Sequence, residues 1–201
     1  MEYTPIFPMS VWHGNFENND ELKEVLLPFI DETKDTLEMP EDWVTDKVVT
    51  SFGNMKVNEL LLVNERQKIQ DAYWNKLNYM FENEWNADMI DAWYNYYTEG
   101  EWQEKHSHSS IPFAPRCDFS AIHFVSWKED THLPVIFHDP LAILKQGFAN
   151  HTNFAEYHPR IKEGDFIVFP SYLEHSVPKQ PSTPDYPRIT ISFNLKLNSF
   201  I

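Results

Sequence analysis

The hydrophobic period of this chain changes near residue 88, and that change limits the fold more than any other feature. Before it, apolar residues recur every three to four positions. Leu22, Val25, Leu26, Phe29, Ile30 and Thr33 trace one helical face within residues 20–37, with Asn19 or Asp20 as cap and Pro28 as an expected kink. Ile69, Ala72, Tyr73, Lys76, Leu77 and Met80 trace another within residues 64–85. Residues 47–52 and 57–62, between these helices, read as short strands. From residue 88 the period is two: residues 89–97, 118–126, 135–138, 165–170 and 188–197 are rich in β-branched and aromatic side chains, and Pro and Gly clusters separate them. Such strands without alternating helices predict a mainly β fold, a sandwich or barrel with helices outside it. At 201 residues one domain is expected: a helical N-terminal part (1–87) packed on the outside of a β core (88–201).

Composition narrows the function classes. Sixteen basic against 31 acidic residues give a net charge of −15, a field that repels phosphate backbones and anionic lipid, so neither nucleic acid nor a membrane surface is an expected partner. The single cysteine, Cys117, forms no internal disulfide, fits a reducing cytoplasm and reads as a structural thiol. No stretch has the features of a signal peptide or the roughly 18 apolar residues of a membrane helix. The expectation is a soluble cytoplasmic protein, with its oligomeric state left open.

The chemistry concentrates in the second half, which carries eight of the nine histidines. His106 and His108 form an H-x-H pair at an expected strand end, where residues i and i+2 share a face. His175, 67 residues further on, is placed to arrive from a distant strand as a third ligand to one metal ion. Arg188 opens an alternating strand, and an arginine there is costly to bury unless a carboxylate pairs with it. Metal ligands followed by such an arginine point to a metal and a carboxylate-bearing small molecule.

Trp93-Tyr94-Asn95, Gly100, His106-Ser107-His108, Phe119-Ser120-Ala121-Ile122-His123-Phe124, Phe137-His138-Asp139-Pro140, Gly164-Asp165, Phe169-Pro170-Ser171, His175-Ser176-Val177 and Arg188 through Asn194 stand in this order. Over about residues 88–195 the chain resembles a bacterial and phage family of 2-oxoglutarate/Fe(II)-dependent oxygenases, distantly similar to prolyl hydroxylases. The resemblance implies a double-stranded β-helix, the jelly roll also seen in cupins. It implies Fe(II) as cofactor, 2-oxoglutarate and O2 as cosubstrates, hydroxylation of an unidentified substrate, and a setting in a bacterial cell or phage-infected host. His106, His108 and His175 take the metal-ligand positions, Arg188 the clamp on the far carboxylate, and Thr190 the hydroxyl beside it. Asn95 and Tyr97 fall where cosubstrate-contacting side chains are expected; His123 reads first as a satisfied strand histidine, with a place in the pocket lining as the alternative that the resemblance implies.

His108 occupies a slot that carries Asp or Glu in the wider superfamily. A three-His set also suits zinc, and Asp118 or Glu104 is an alternative carboxylate ligand. Two rivals to the oxygenase follow: a cupin-type three-His metalloprotein that works without 2-oxoglutarate, and a silent metal- or ligand-binding domain. Substrate choice is expected to lie in loops 109–117 and 141–160.

Overall fold

In the computed structural model, residues 9–41, 43–45, 48–62, 67–81, 87–108, 117–142 and 155–198 are described, and their strands form two antiparallel sheets. The strands are β1 (Trp12–Asn15), β2 (Val49–Thr50), β3 (Ala87–Tyr97), β4 (Gln103–His106), β5 (Phe119–Ser126), β6 (Ile136–His138), β7 (Glu156–Tyr157), β8 (Asp165–Pro170), β9 (His175–Val177) and β10 (Arg188–Leu197). The larger sheet has the order β1-β8-β5-β10-β3-β2 and the smaller one β4-β9-β6-β7. This is the jelly roll that the resemblance implied.

Strand periodicity places two different cores on the two faces of the large sheet. Along β10, Ile189, Ile191, Phe193 and Leu195 turn to one face, where they join Ala92 and Tyr94 of β3 and Ala121 and Val125 of β5. Helices α1 (Asn19–Thr33), α2 (Met55–Leu62) and α3 (Gln67–Phe81) cover that face with Leu22, Leu26, Phe29, Ile30, Val57, Ile69, Tyr73 and Leu77. The opposite face of β5 and β8 supplies Ile122, Phe124, Ile167 and Phe169, which pack with Phe137 of the small sheet in a second core. Because β10 is covered on both sides, Arg188, Thr190, Ser192 and Asn194, alternating with its apolar residues, are buried as well.

The structure departs from the expectations in several places. Residues 57–62 are helical, in α2, rather than a strand, because Asn54 Oδ1 accepts from Val57 N at 3.1 Å and caps the turn. Periodicity alone cannot distinguish strand from helix in so short an apolar run. Of the expected strand 47–52, only Val49 and Thr50 pair, with β3; Lys47 lies outside the described residues. The first helix runs through Pro28, ends at Thr33 and continues as a single 3₁₀ turn, Lys34–Thr36. Asn18, not Asn19 or Asp20, stands at its N-cap. The N-terminal part also does more than cover the core, since β1 and β2 are the two edge strands of the large sheet.

Gly164 shows why the Gly-Asp turn before β8 admits no larger residue. Its φ is +81°, and a Cβ there would lie 3.0 Å from Asn19 Cβ and 3.1 Å from Phe16 O. The turn thus seats β8 against the start of α1.

His123 is the satisfied strand histidine of the first reading, and the alternative that it lines the pocket does not hold. As an odd-numbered residue of β5 it points to the helix face, away from the pocket, and is fully buried. Its Nε2 donates to Asn19 Oδ1 at 2.8 Å, and Tyr73 Oη donates to its Nδ1 at 3.0 Å. Asn19 Nδ2 in turn donates to Val125 O at 3.1 Å, so one neutral imidazole ties α1 and α3 to the sheet. Burial pushes its pKa down to about 3. The folded pKa lies below the unfolded value of about 6.5, so this contribution is complete above pH 6.5 and is lost as pH falls toward 3, by on the order of a few kcal/mol. The urea midpoint of the metal-free protein should therefore fall between pH 6.5 and 4, and less steeply in His123→Gln. Equal slopes in the two proteins would refute this role.

Candidate metal and cosubstrate site

Between the sheets, the pairing of β4 with β9 sets His106 directly opposite His175. His108 follows two residues beyond the end of β4, and its N–H donates to Ser171 O at 2.9 Å, which anchors the chain there. The ring centroids lie 4.3 Å apart for His106 and His175, 5.1 Å for His108 and His175, and 5.3 Å for His106 and His108. One ring nitrogen from each of the three falls within 4.8 Å of the others, and among the described residues this is the group of three or more such side chains able to hold an ion.

The donor set fits a metal cation. His106 Nδ1 is held by Glu104 O at 2.8 Å and His175 Nδ1 by Leu173 O at 3.0 Å, so both carry hydrogen on Nδ1. His108 Nδ1 lies 2.7 Å from both Asn194 Oδ1 and Ser120 Oγ. Each Nε2 is thereby left with its lone pair, as ligation requires. Burial lowers the pKa of all three, that of His108 to about 4, with the neighbouring His106 adding to the effect. Three neutral imidazoles at neutral pH can accept a cation where three imidazolium ions would repel it.

Neither alternative carboxylate joins the cluster. Asp118 Oδ2 accepts from Leu197 N at 2.9 Å, at the far end of β10. Glu104 Oε1 accepts from Val44 N at 3.0 Å, and its Oε2 is buried without a partner outside the convergent group. Among the described residues the convergent group is thus three histidines without a carboxylate.

Arg188 lines the same narrow cavity as the three histidines. It is 1% exposed, and its Nε and Nη1 have no hydrogen-bond partner. Its guanidinium carbon lies 4.5 Å from the Tyr97 ring centroid, 5.5 Å from that of Trp127 and 5.8 Å from that of Phe124. Burial lowers its pKa, and the Tyr97 hydroxyl offsets this in part. Among the described residues no carboxylate pairs with it. A planar cation that lines a cavity with two of its nitrogens buried and without a partner is a receptor for an anion.

The remaining candidates fall into place by strand register. Tyr97 is opposite Arg188 and Asn95 is opposite Thr190, so all four line the cavity from two adjacent strands. Tyr97 Oη donates to Gln103 Oε1 at 3.1 Å, and burial raises the Tyr97 pKa to about 12. Asn95 Oδ1 accepts from Thr50 Oγ1 at 2.8 Å. Sequence reasoning assigned no role to Ser120, Asn194, Gln103 or Ser192, which also stand in or behind the cavity. The signal was present in β10, where every second residue from 188 to 194 is polar within an otherwise apolar strand. Of the loops expected to select substrate, 109–116 and 143–154 lie outside the described residues.

A jelly roll that brings three neutral histidines and an unpaired buried arginine into one cavity has the features of a metal-dependent oxygenase that takes an anionic cosubstrate. Residues 91–194, more than half of the chain, match the family model described as "Putative 2OG-Fe(II) oxygenase", and the chain belongs to that family of 2-oxoglutarate- and Fe(II)-dependent enzymes. Its fold is similar to that of a prolyl-4-hydroxylase from Pseudomonas putida, with a TM-score of 0.60 and 11% identity over 95% of this chain and 94% of that one. It is also similar to EctD from S. alaskensis, crystallised with 2-oxoglutarate and 5-hydroxyectoine, with a TM-score of 0.59 and 11% identity over 94% and 72% of the two chains. A third similar fold is the viral collagen prolyl hydroxylase of Paramecium Bursaria Chlorella virus-1 in complex with 2-oxoglutarate, with a TM-score of 0.51 and 12% identity over 92% and 95%. No curated protein matches the sequence.

Proposed function

We propose that His106, His108 and His175 hold the Fe(II), that Arg188, Thr190, Asn95 and Tyr97 seat 2-oxoglutarate, and that the enzyme hydroxylates a C–H bond of a substrate not yet identified. The observation that carries this reading is the buried Arg188, whose free donors share a cavity with three convergent imidazoles. When bound, Fe(II) supplies the redox chemistry that couples conversion of 2-oxoglutarate and O2 into succinate and CO2 to insertion of one oxygen atom into the substrate.

The chain's own residues set the conditions for this. Arg188 pairs with the C5-carboxylate through two donors and so fixes which way round the keto acid lies. Thr190, on the same side of β10, offers a hydroxyl to the same carboxylate. The acceptors at each Nδ1 keep the Nε2 lone pairs directed at one point. Phe137 and Phe169, with ring centroids 6.1 and 4.9 Å from that of His175, wall one side of the site and keep water from it.

The enzyme is proposed to work in the cytoplasm of a bacterial cell or phage-infected host, with neither nucleic acid nor membrane as partner. The net charge of −15 and the single cysteine support that setting. Among the described residues no helix is long and apolar enough to cross a membrane.

The test is uncoupled turnover. Protein loaded anaerobically with Fe(II) and 2-oxoglutarate, then exposed to O2, should form succinate slowly without any added substrate. Absence of both succinate formation and metal-dependent 2-oxoglutarate binding would refute the proposal in favour of a three-His metalloprotein without a keto acid.

A further inference from the structure

His108 is held differently from the other two histidines. His106 and His175 each rest on a backbone carbonyl two residues away, Glu104 O and Leu173 O. His108 rests instead on two side chains of the large sheet. Asn194 of β10 and Ser120 of β5 are directly opposite each other in the register of those strands, and both are buried. His108 Nδ1 lies 2.7 Å from Asn194 Oδ1 and 2.7 Å from Ser120 Oγ, while Ser120 Oγ donates to Asn194 Oδ1 at 2.9 Å.

This three-way contact selects a tautomer. The amide oxygen can only accept, so at 2.7 Å it takes a hydrogen from His108 Nδ1, and a serine hydroxyl that donates to the same oxygen presents a lone pair to Nδ1. The imidazole hydrogen must then be on Nδ1, and Nε2 keeps the lone pair that faces His106 and His175. Turning the Asn194 amide over would present its N–H to Nδ1, move the imidazole hydrogen to Nε2 and aim that hydrogen at the other two rings. Ligation by His108 therefore depends on which end of the Asn194 amide faces it, and the Ser120 hydroxyl favours the oxygen end.

We infer that Asn194, supported by Ser120, is a positioning residue that makes His108 a metal ligand. This rests on the three-histidine reading above. The histidine at a position where a carboxylate is familiar is then not a loose substitute, because two neighbouring strands supply a dedicated seat for it. Asn194→Asp keeps the acceptor, cannot present a donor when ionised, and adds negative charge behind the imidazole, which raises its basicity. Asn194→Ala leaves Ser120 alone, free to rotate and donate.

The experiment uses the full chain and Co(II) as probe, held anaerobically, with affinity from chelator competition and the visible absorption band as a signature of the ligand set. Asn194→Ala should bind Co(II) about 10- to 100-fold more weakly than the parent and show an altered band, and Ser120→Ala should lose several-fold. Asn194→Asp should bind at least as tightly as the parent and restore the band, a rescue that a merely structural role would not produce. If Asn194→Ala fails to fold, the aspartate variant decides, and weaker Co(II) binding by it overturns the inference. A parent that binds Co(II) in a His175-dependent way, with affinity and spectrum unchanged in every Asn194 variant, overturns this inference alone. A parent that binds no Co(II), or binds it equally well as His175→Ala, overturns the three-histidine reading and this inference with it.

Discussion

Replacing Arg188 with alanine should weaken 2-oxoglutarate binding by more than about a hundredfold while leaving metal affinity within about twofold of the parent. The guanidinium enters the cavity on the first residue of β10, 1% exposed, with Nε and Nη1 unpartnered and three aromatic rings around it. A dicarboxylate held at one end by the metal would lose the buried cation at the other, a change of about 3 kcal/mol or more when one member of a buried charge pair is removed. The three histidines proposed to hold the metal are on β4, on β9 and just beyond β4, so their geometry does not depend on this side chain.

The companion variant Arg188→Met separates binding from folding. It fills most of the volume and removes an unpaired buried charge, so without keto acid it should melt no lower than the parent. Calorimetric titration of 2-oxoglutarate into metal-loaded protein, beside melting curves of the free forms, makes both measurements. Equal keto-acid affinity in parent and Arg188→Ala would remove the cosubstrate assignment and promote the cupin-type alternative.

His175→Ala should abolish specific metal binding, by about a thousandfold or more, and keto-acid binding with it. His175 is the neighbour common to the other two proposed ligands, opposite His106 in strand register and within 5.1 Å, ring to ring, of His108. Two neutral imidazoles without it make a poor chelate, and one end of the keto acid then has no partner. Melting curves with and without Fe(II) under anaerobic conditions provide the readout. Metal should raise the midpoint of the parent and leave that of His175→Ala unchanged, since only a ligand that binds the folded state shifts it. The free variant should also melt a few degrees lower, because truncation opens space beside Phe137 and Phe169 and removes the bond to Leu173 O. A metal-dependent shift of parental size in His175→Ala would show that the ion binds elsewhere.

Much of this site was legible in the chain because strand chemistry is local. Alternation along residues 188–197 says which side chains share a face, and the H-x-H spacing puts two imidazoles near each other wherever the strand goes. The long amphipathic helices were legible for the same reason, Ile69, Tyr73 and Leu77 being one turn apart. Short elements were not. Residues 57–62 required knowledge of the Asn54 cap, and β1 and β7, four and two residues long, are stabilised by partners remote in sequence rather than by their own composition.

By itself, then, the sequence determined the class of chemistry: a β fold with outer helices, three histidines able to serve one ion, and an arginine that is costly to bury without an anion. Only the tertiary structure decided which face of each strand looks into the cavity. It turned His123 toward the helices and tied Asp118 to the end of β10. It also set Asn194 and Ser120 behind His108. The reason is that alternation defines two faces without naming them. The helices packed on one side and the second sheet on the other assign them, through contacts between residues a hundred positions apart.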